Sequence, residues 1–281
     1  MTATTTPITS VDTTSHGVSA AVVQTVSIAQ RHMRYLLRQP WFILMTLTQP
    51  VIWLILFGAL FKNVSAIPGF AGGASAATGS YLDFLLPGVL VMTALFSSGW
   101  VGMSIIEDLD RGIMDRFLTA PVHKGALIAG HQAYAAINLL IQALIIGALG
   151  FVMGARFGGG IAGFAVLVAC ALLLGAAFGA ISDATALVLR QRESVIGVNT
   201  ALTLPLTFLS AAFMPLNLVP DWIATAARFN PVNCAVEAGR AALAGGTDWA
   251  FVLARLGALA LLAVACMWLA TRAFRSYQRS I

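Results

Sequence analysis

The chain has 281 residues, of which 59% are hydrophobic by a broad count and only 10% are charged, against roughly 25% charged in an average soluble domain. Mean hydropathy is +0.87, so the charges are too few to cover a water-facing surface and most of the apolar excess has to face lipid. This excludes a soluble enzyme, a disordered chain and a secreted disulfide scaffold. The net charge of +5 does not point to nucleic acid, because the basic residues sit between apolar runs, as topology signals do. Cys170, Cys234 and Cys266 form no close pair, which argues against a disulfide or zinc site.

Residues 1–19 are polar, rich in Thr and Ser, and lack the apolar stretch of a cleaved signal peptide; they read as a flexible cytoplasmic tail. Val22, Val26, Ala29, Met33 and Leu36 then repeat at helical spacing opposite Gln24, Ser27, Arg31, Arg34 and Arg38. This pattern predicts a helix in the membrane interface with its arginines toward headgroups; the alternative is a helix docked on protein. Residues 41–61, 85–106, 125–153, 157–182 and 194–220 contain no Lys, Arg, Asp or Glu, and each reaches the ~20 residues needed to cross a bilayer core as a helix. A sixth run, 256–271, becomes a span if its helix starts near Trp249 and Arg255 snorkels outward. With six spans and a cytoplasmic N-terminus, 11 of the 16 basic residues fall on the inner side, which predicts that both termini are cytoplasmic. The expected fold is therefore an all-α integral membrane protein with six transmembrane helices over 20–271 and a basic cytoplasmic tail over 272–281.

Two segments between spans carry pattern. In the first, Leu109, Ile113 and Phe117 form an apolar stripe with Met114 and Leu118, while Glu107, Asp108, Arg111 and Asp115 populate the other face until Pro121 stops the helix. Such a helix suits docking of a soluble protein better than rest on an anionic membrane surface, since four carboxylates lie between 107 and 115. In the second, Pro215, Pro220 and Pro231 divide the chain after the fifth run into short helices near 220–229 and 231–244. Asp221 is a candidate N-cap, Asn230 with Pro231 makes a cap followed by proline, Trp222 suits an interfacial belt, and Glu237 and Arg240 are spaced to pair.

The cytoplasmic Glu107…Arg111-Gly112…Phe117-Leu118…Pro121-Val122 and the external Phe213-Met214-Pro215-Leu216…Pro220-Asp221-Trp222-Ile223…Asn230-Pro231-Val232…Glu237…Arg240 resemble the membrane subunit of ABC-2 type exporters, especially permeases of the daunorubicin/doxorubicin resistance class. The resemblance covers residues from about 20 to about 271, and the external piece is the more specific. It implies an ATP-driven exporter of two six-span subunits, alike or different, with two copies of a separate cytosolic ATPase. It also implies a coupling helix carrying Glu107, Arg111, Asp115, Arg116, Phe117 and Leu118, and re-entrant external helices carrying Pro215, Pro220, Trp222, Asn230, Pro231, Glu237 and Arg240. Some relatives carry an acidic residue after the coupling-loop glycine, where this chain has Ile113 and Met114. The location implied is the plasma (inner) membrane, and the cargo a drug or antibiotic, with a lipid or lipid-linked glycan as the alternative.

No phosphate loop of the G-x-x-x-x-G-K-[ST] type occurs, nor any zinc-hydrolase or serine-nucleophile motif. No cofactor is therefore expected in this chain, and ATP and Mg are expected on the partner. A proton-driven transporter would place several ionisable groups at mid-membrane, where only Asp183 and His131 are available. Asp183 reads first as an interhelical hydrogen-bond partner and second, with Arg190, as an inner gate; His131 reads as a packing contact. Gln49-Pro50 should break the first span, Gly175 and Gly179 should mark a close helix approach, and Trp53, Phe57, Phe96, Trp100, Phe208 and Phe213 are candidates to line a path for cargo.

Overall fold

A computed structural model describes residues 40–61, 81–112, 124–245 and 248–279. All regular structure among them is helical. The elements are α1 (Pro40–Leu60), α2 (Tyr81–Gly99), α3 (Val101–Asp110), α4 (Lys124–Val152), α5 (Gly160–Leu189), α6 (Arg192–Phe208), a 3₁₀ turn (Leu216–Leu218), α7 (Asp221–Arg228), α8 (Pro231–Ala244) and α9 (Trp249–Arg279). Among the described residues, four stretches are long and apolar enough to cross a membrane: Tyr81–Asp110, Ala129–Val152, Gly160–Leu189 and Trp249–Phe274. Leu44–Leu60 is a shorter apolar helix. The chain is thus a multi-pass membrane protein. The interfacial helix expected over 20–38 and the tail over 1–19 lie outside the described residues.

The fifth run differs from expectation. It was expected to span 194–220, but α6 has 17 residues and stops at Phe208, a rise of about 25 Å at 1.5 Å per residue. Pro205, Pro215 and Pro220 interrupt the amide ladder there, so 209–220 runs as a strap rather than a helix. The first run differs in the opposite sense, because α1 continues through Pro50 without a break. The last helix begins at Trp249, as expected, capped by Asp248 Oδ1 accepting from Ala250 N at 3.0 Å. It then stays helical to Arg279, through most of the segment expected as a tail.

Helix α5 lies at the centre, with α2, α3, α4, α8 and α9 packed around it. Small residues permit this. A Cβ on Gly163 or Gly159 would collide with the Ala242 carbonyl of α8, and one on Gly102 of α3 with the Ser182 carbonyl of α5. Gly175 and Gly179 mark the close approach to α4 that their spacing predicts, since a Cβ would sit 3.0 Å from Leu139 Cδ2 and 2.9 Å from Gln132 Oε1 respectively. In lipid, where helices gain nothing from escaping water, such backbone contact is the main source of packing energy.

Gly163→Ala is expected to lower the stability of the detergent-solubilised protein by about 1–3 kcal/mol through overpacking against a fixed carbonyl. Gly257→Ala, with open space around its Cα, should be neutral or stabilising by up to about 1 kcal/mol. Equilibrium unfolding of both variants beside the parent checks the contrast.

Candidate functional site: an uncharged cavity held between two backbone clamps

A helix that crosses lipid must pair all its amides, so a break needs local side-chain partners. The break between α2 and α3 is the first such place. Ser182 Oγ donates to Gly99 O at 2.7 Å and accepts from Gly102 N at 3.1 Å, and Asn199 Nδ2 donates to both Gly99 O and Ser182 Oγ. Two polar side chains from α5 and α6 thus replace the missing turn at Trp100.

The strap after α6 is the second place. Asn230 Nδ2 donates to Leu206 O and Leu209 O at 2.7 and 2.8 Å, while its Oδ1 accepts from Val232 N at 2.9 Å. The cap of α8 therefore also closes the end of α6. Asn233 Oδ1 accepts from Ala211 N at 3.0 Å. Arg240 donates from Nη2 to Ala212 O at 3.0 Å and from Nε to Phe84 O at 3.1 Å, its guanidinium 3.5 Å from the centre of the Phe84 ring. Glu237 does not pair with Arg240 as expected; it takes Arg255 of α9 at 2.8 Å and accepts from Asn233 Nδ2 at 2.9 Å. Arg255, expected to snorkel away, is thereby tied to α8. Asp221 is not the cap of α7 but its first residue, behind Pro220. Pro215 is buried and Pro231 half-buried, whereas Pro220 and Trp222 are exposed.

Between the two clamps, α1 and α2 leave a cavity of about 270 Å³. Met45, Thr46, Gln49, Pro50 and Trp53 line it from α1; Val89, Met92, Thr93, Phe96 and Ser97 from α2; Trp100 and, from α4, Gln142 complete it. None of these residues is charged. Trp53 connects the cavity to the strap, its ring centre 4.8 Å from that of Phe213 and 5.3 Å from that of Phe57. The structure therefore brings five of the six expected aromatic residues to one region. Phe208 is 65% exposed and lies elsewhere on the surface. Gln142 was missed because a single glutamine in a long apolar run carries little signal. It becomes visible only as the fourth member of a buried row on α4 with His131, Gln132 and Asn138.

The remaining expected site residues lie at the other end. Asp183 is fully buried and accepts from Gln132 Nε2 at 2.8 Å, which matches the interhelical reading, while Arg190 closes α5 in a left-handed conformation with its residue exposed. His131 Nδ1 lies 3.2 Å from Ser104 Oγ, and its Nε2 3.7 Å from Asp108. Asp108, expected with Glu107 on the polar side of the docking helix, is buried and lies 3.7 Å from His131 of α4. Glu107 and Arg111 are 3.6 Å apart across the last turn of α3. That helix ends at Asp110, and Gly112 takes φ +64°, so the helix that carries Leu109 stops before Ile113, and the rest of the expected stripe lies outside the described residues. Asp115, Arg116, Phe117 and Leu118 lie outside the described residues. Arg192 joins Asp110 at 2.9 Å, fixing the start of α6 to the end of α3.

A family profile described as ABC-2 type transporter matches residues 23–244. The chain belongs to the ABC-2 type transporter family, whose members are the membrane subunits of ABC transporters. It is 29% identical over 197 residues to the daunorubicin resistance ABC transporter permease protein DrrB1 of Streptomyces coeruleorubidus, covering 70% of this chain and 66% of that relative. It is 30% identical over 214 residues to the putative transport permease ycf38 of Cyanophora paradoxa, covering 75% and 70%. It is 24% identical over 197 residues to the probable doxorubicin resistance ABC transporter permease protein DrrC of Mycobacterium tuberculosis, covering 70% and 68%. Several of its curated relatives are thus drug-resistance permeases.

Asn230→Ala removes the donor to two carbonyls and the acceptor for one amide in a buried setting. It is expected to destabilise the ABC-2 fold by about 1–3 kcal/mol per group left unpaired, partly relieved by water. Hydrogen exchange should rise first at 209–212 and 232–234, before the centre of α5.

Proposed function

We propose that this chain is the permease subunit of an ATP-driven exporter, with the cavity between α1 and α2 as part of the path for a hydrophobic or amphipathic cargo. The observation that supports it most is an uncharged, aromatic-walled cavity between apolar helices in a chain of a family of transporter membrane subunits. Two permease subunits, alike or different, and two copies of a cytosolic ATPase would make up the complex. ATP and Mg would sit on the ATPase, since this chain has no phosphate loop. In this reading the helix before α1 is interfacial, α1 to α6 and α9 supply six spans, and both termini face the cytoplasm of the plasma membrane. Glu107, Arg111, Asp115, Arg116, Phe117 and Leu118 meet the ATPase. The strap with α7 and α8 closes the outer end, and Asp183 and Arg190 mark the inner one.

Drug or antibiotic efflux is the favoured cargo class, in keeping with the names of the Streptomyces and Mycobacterium relatives. A lipid-linked glycan would bring a phosphate group, for which the cavity wall holds no cation. A proton-driven transporter would need ionisable groups along the path, and none lines this cavity.

Arg111→Glu and Phe117→Ala are expected to cut recovery of the co-expressed ATPase with the tagged permease at least tenfold while leaving permease yield and melting temperature near the parent's. Unchanged ATPase recovery would show that the segment after α3 is not the docking site. Transport into inverted vesicles that persists without ATP and stops with an uncoupler would replace the ATP-driven reading with the proton-driven one.

A further inference from the structure

One residue in the cavity's lining carries an atom that the fold does not account for. Gln142 has no exposed surface, yet among the described residues its Oε1 has no hydrogen-bond partner, and its Nε2 reaches only Ser97 Oγ at 3.5 Å, the outer limit of a hydrogen bond. A buried acceptor left unpaired is costly, and most such groups in folded proteins have a partner. Within a membrane bundle the default reading of such a group is functional. Around it the chemistry is consistent. Trp53, Phe96 and Trp100 supply flat, mostly apolar walls, and the other polar side-chain groups among the described lining residues are those of Thr46, Gln49, Thr93 and Ser97, beside the indole N–H groups of Trp53 and Trp100. Thr93 Oγ1 already spends its proton on Val89 O at 2.7 Å, so it presents acceptor lone pairs to the cavity.

We propose that this cavity binds an uncharged, flat, mostly apolar molecule carrying a hydroxyl or similar hydrogen-bond donor, and that Gln142 Oε1 accepts from that donor. The assignment rests on the exporter reading and narrows its cargo class. The aromatic walls take the ring system. The missing positive charge excludes phosphate and sulfonate groups, and the missing negative charge disfavours a cation. The volume, at the lower edge of the ~300–1,000 Å³ usual for ligand pockets, suits a few fused rings rather than a bulky glycan. Gln142 acts as a specificity determinant: it separates ligands that carry a donor from equally greasy ones that do not.

Three probes with one ring system separate these terms: 1-hydroxypyrene, pyrene and 1-pyrenesulfonate. They would be titrated into the full-length protein in phosphatidylcholine nanodiscs, reading saturable energy transfer from tryptophan after subtraction of transfer by lipid partition in protein-free and unrelated-protein discs. The parent should bind 1-hydroxypyrene about five- to tenfold more tightly than pyrene, the usual effect of one hydrogen bond, and 1-pyrenesulfonate most weakly. Gln142→Met, of similar length and flexibility, should bring 1-hydroxypyrene and pyrene to within twofold of each other. Gln49→Phe, at an exposed rim position, should fill the cavity and abolish saturable transfer for all three without disturbing the core.

Equal binding of 1-hydroxypyrene and pyrene by the parent would overturn the role of Gln142, as would a preference surviving in Gln142→Met. Tightest binding of the sulfonate would overturn the uncharged class, and saturable transfer undiminished in Gln49→Phe would overturn the location. The measurement uses neither ATP nor ATPase. Its failure would sink the ligand assignment alone, and ATPase recovery with the Arg111 and Phe117 variants would still judge the exporter reading.

Discussion

Backbone contact along α5 is the constraint from which the rest of the bundle follows. In a bilayer the separation of helices is set by side-chain size, and apolar side chains gain little from meeting one another rather than lipid. Gly159 and Gly163 let the Ala242 carbonyl of α8 lie against α5, and Gly102 lets α3 lie against the Ser182 carbonyl of the same helix. Both contacts bring a carbonyl where a methyl group would otherwise stand, so they fix two distances that no side-chain rearrangement can relax. Because α8 and α3 approach opposite ends of α5, the helix acts as a ruler between the strap and the α2–α3 break.

That ruler explains where the polar residues sit. Two interruptions of helical backbone lie next to amide, hydroxyl or guanidinium side chains at the right reach: Ser182 and Asn199 at Gly99–Gly102, Asn230, Asn233 and Arg240 at 206–212. Arg240 shows the logic well. Its guanidinium is nearly buried and, among the described residues, carries no carboxylate partner; two carbonyls and the face of Phe84 take that place. An arginine suits this role because its fork reaches two acceptors at once. Both clamps hold α2, and the middle of α2 walls the cavity. The strap also touches the cavity directly through Phe213 and Trp53. Geometry alone therefore links the strap and the break to one wall of the cavity, which is what a gated path requires.

Much of this was legible in the sequence. Charge-free runs located the long helices, and Asn230 with Pro231 located the start of α8 to the residue, because a cap followed by proline has few other uses. The limits were equally physical. The end of α6 was misjudged because the run without charges continues to Pro220, and hydropathy does not register that Asn230 and Asn233, twenty or more residues on, relieve the backbone at its end. Glu237 and Arg240 share a helix face, but spacing gives no hint that Arg255 and the Ala212 carbonyl compete for them. Asp108 reads with Glu107 as part of the polar side of a docking helix; its burial depends on α4, which no local pattern encodes. Gln142 was invisible for the converse reason, being a single polar residue whose importance lies in what α1, α2 and the break at Trp100 leave beside it.

The distribution of charge narrows the kind of cargo that such a path can favour. Charged side chains gather at the ends of the bundle: Arg255 with Glu237 near the strap, Arg192 with Asp110 and Arg111 with Glu107 at the other end. Between them the cavity wall offers rings, a proline, methionines and uncharged polar groups. An ion brought there would lose hydration without a counter-charge, a penalty of several kcal/mol even after relaxation. An apolar ring system would instead keep the roughly 25 cal/mol per Å² it gains on leaving water. It would gain little or nothing on moving from lipid into the cavity, so apolar burial cannot by itself select cargo from the membrane. Selection at that depth has to come from shape and from the few polar atoms present, and among these the unpaired acceptor of Gln142 is the one whose satisfaction distinguishes one greasy molecule from another.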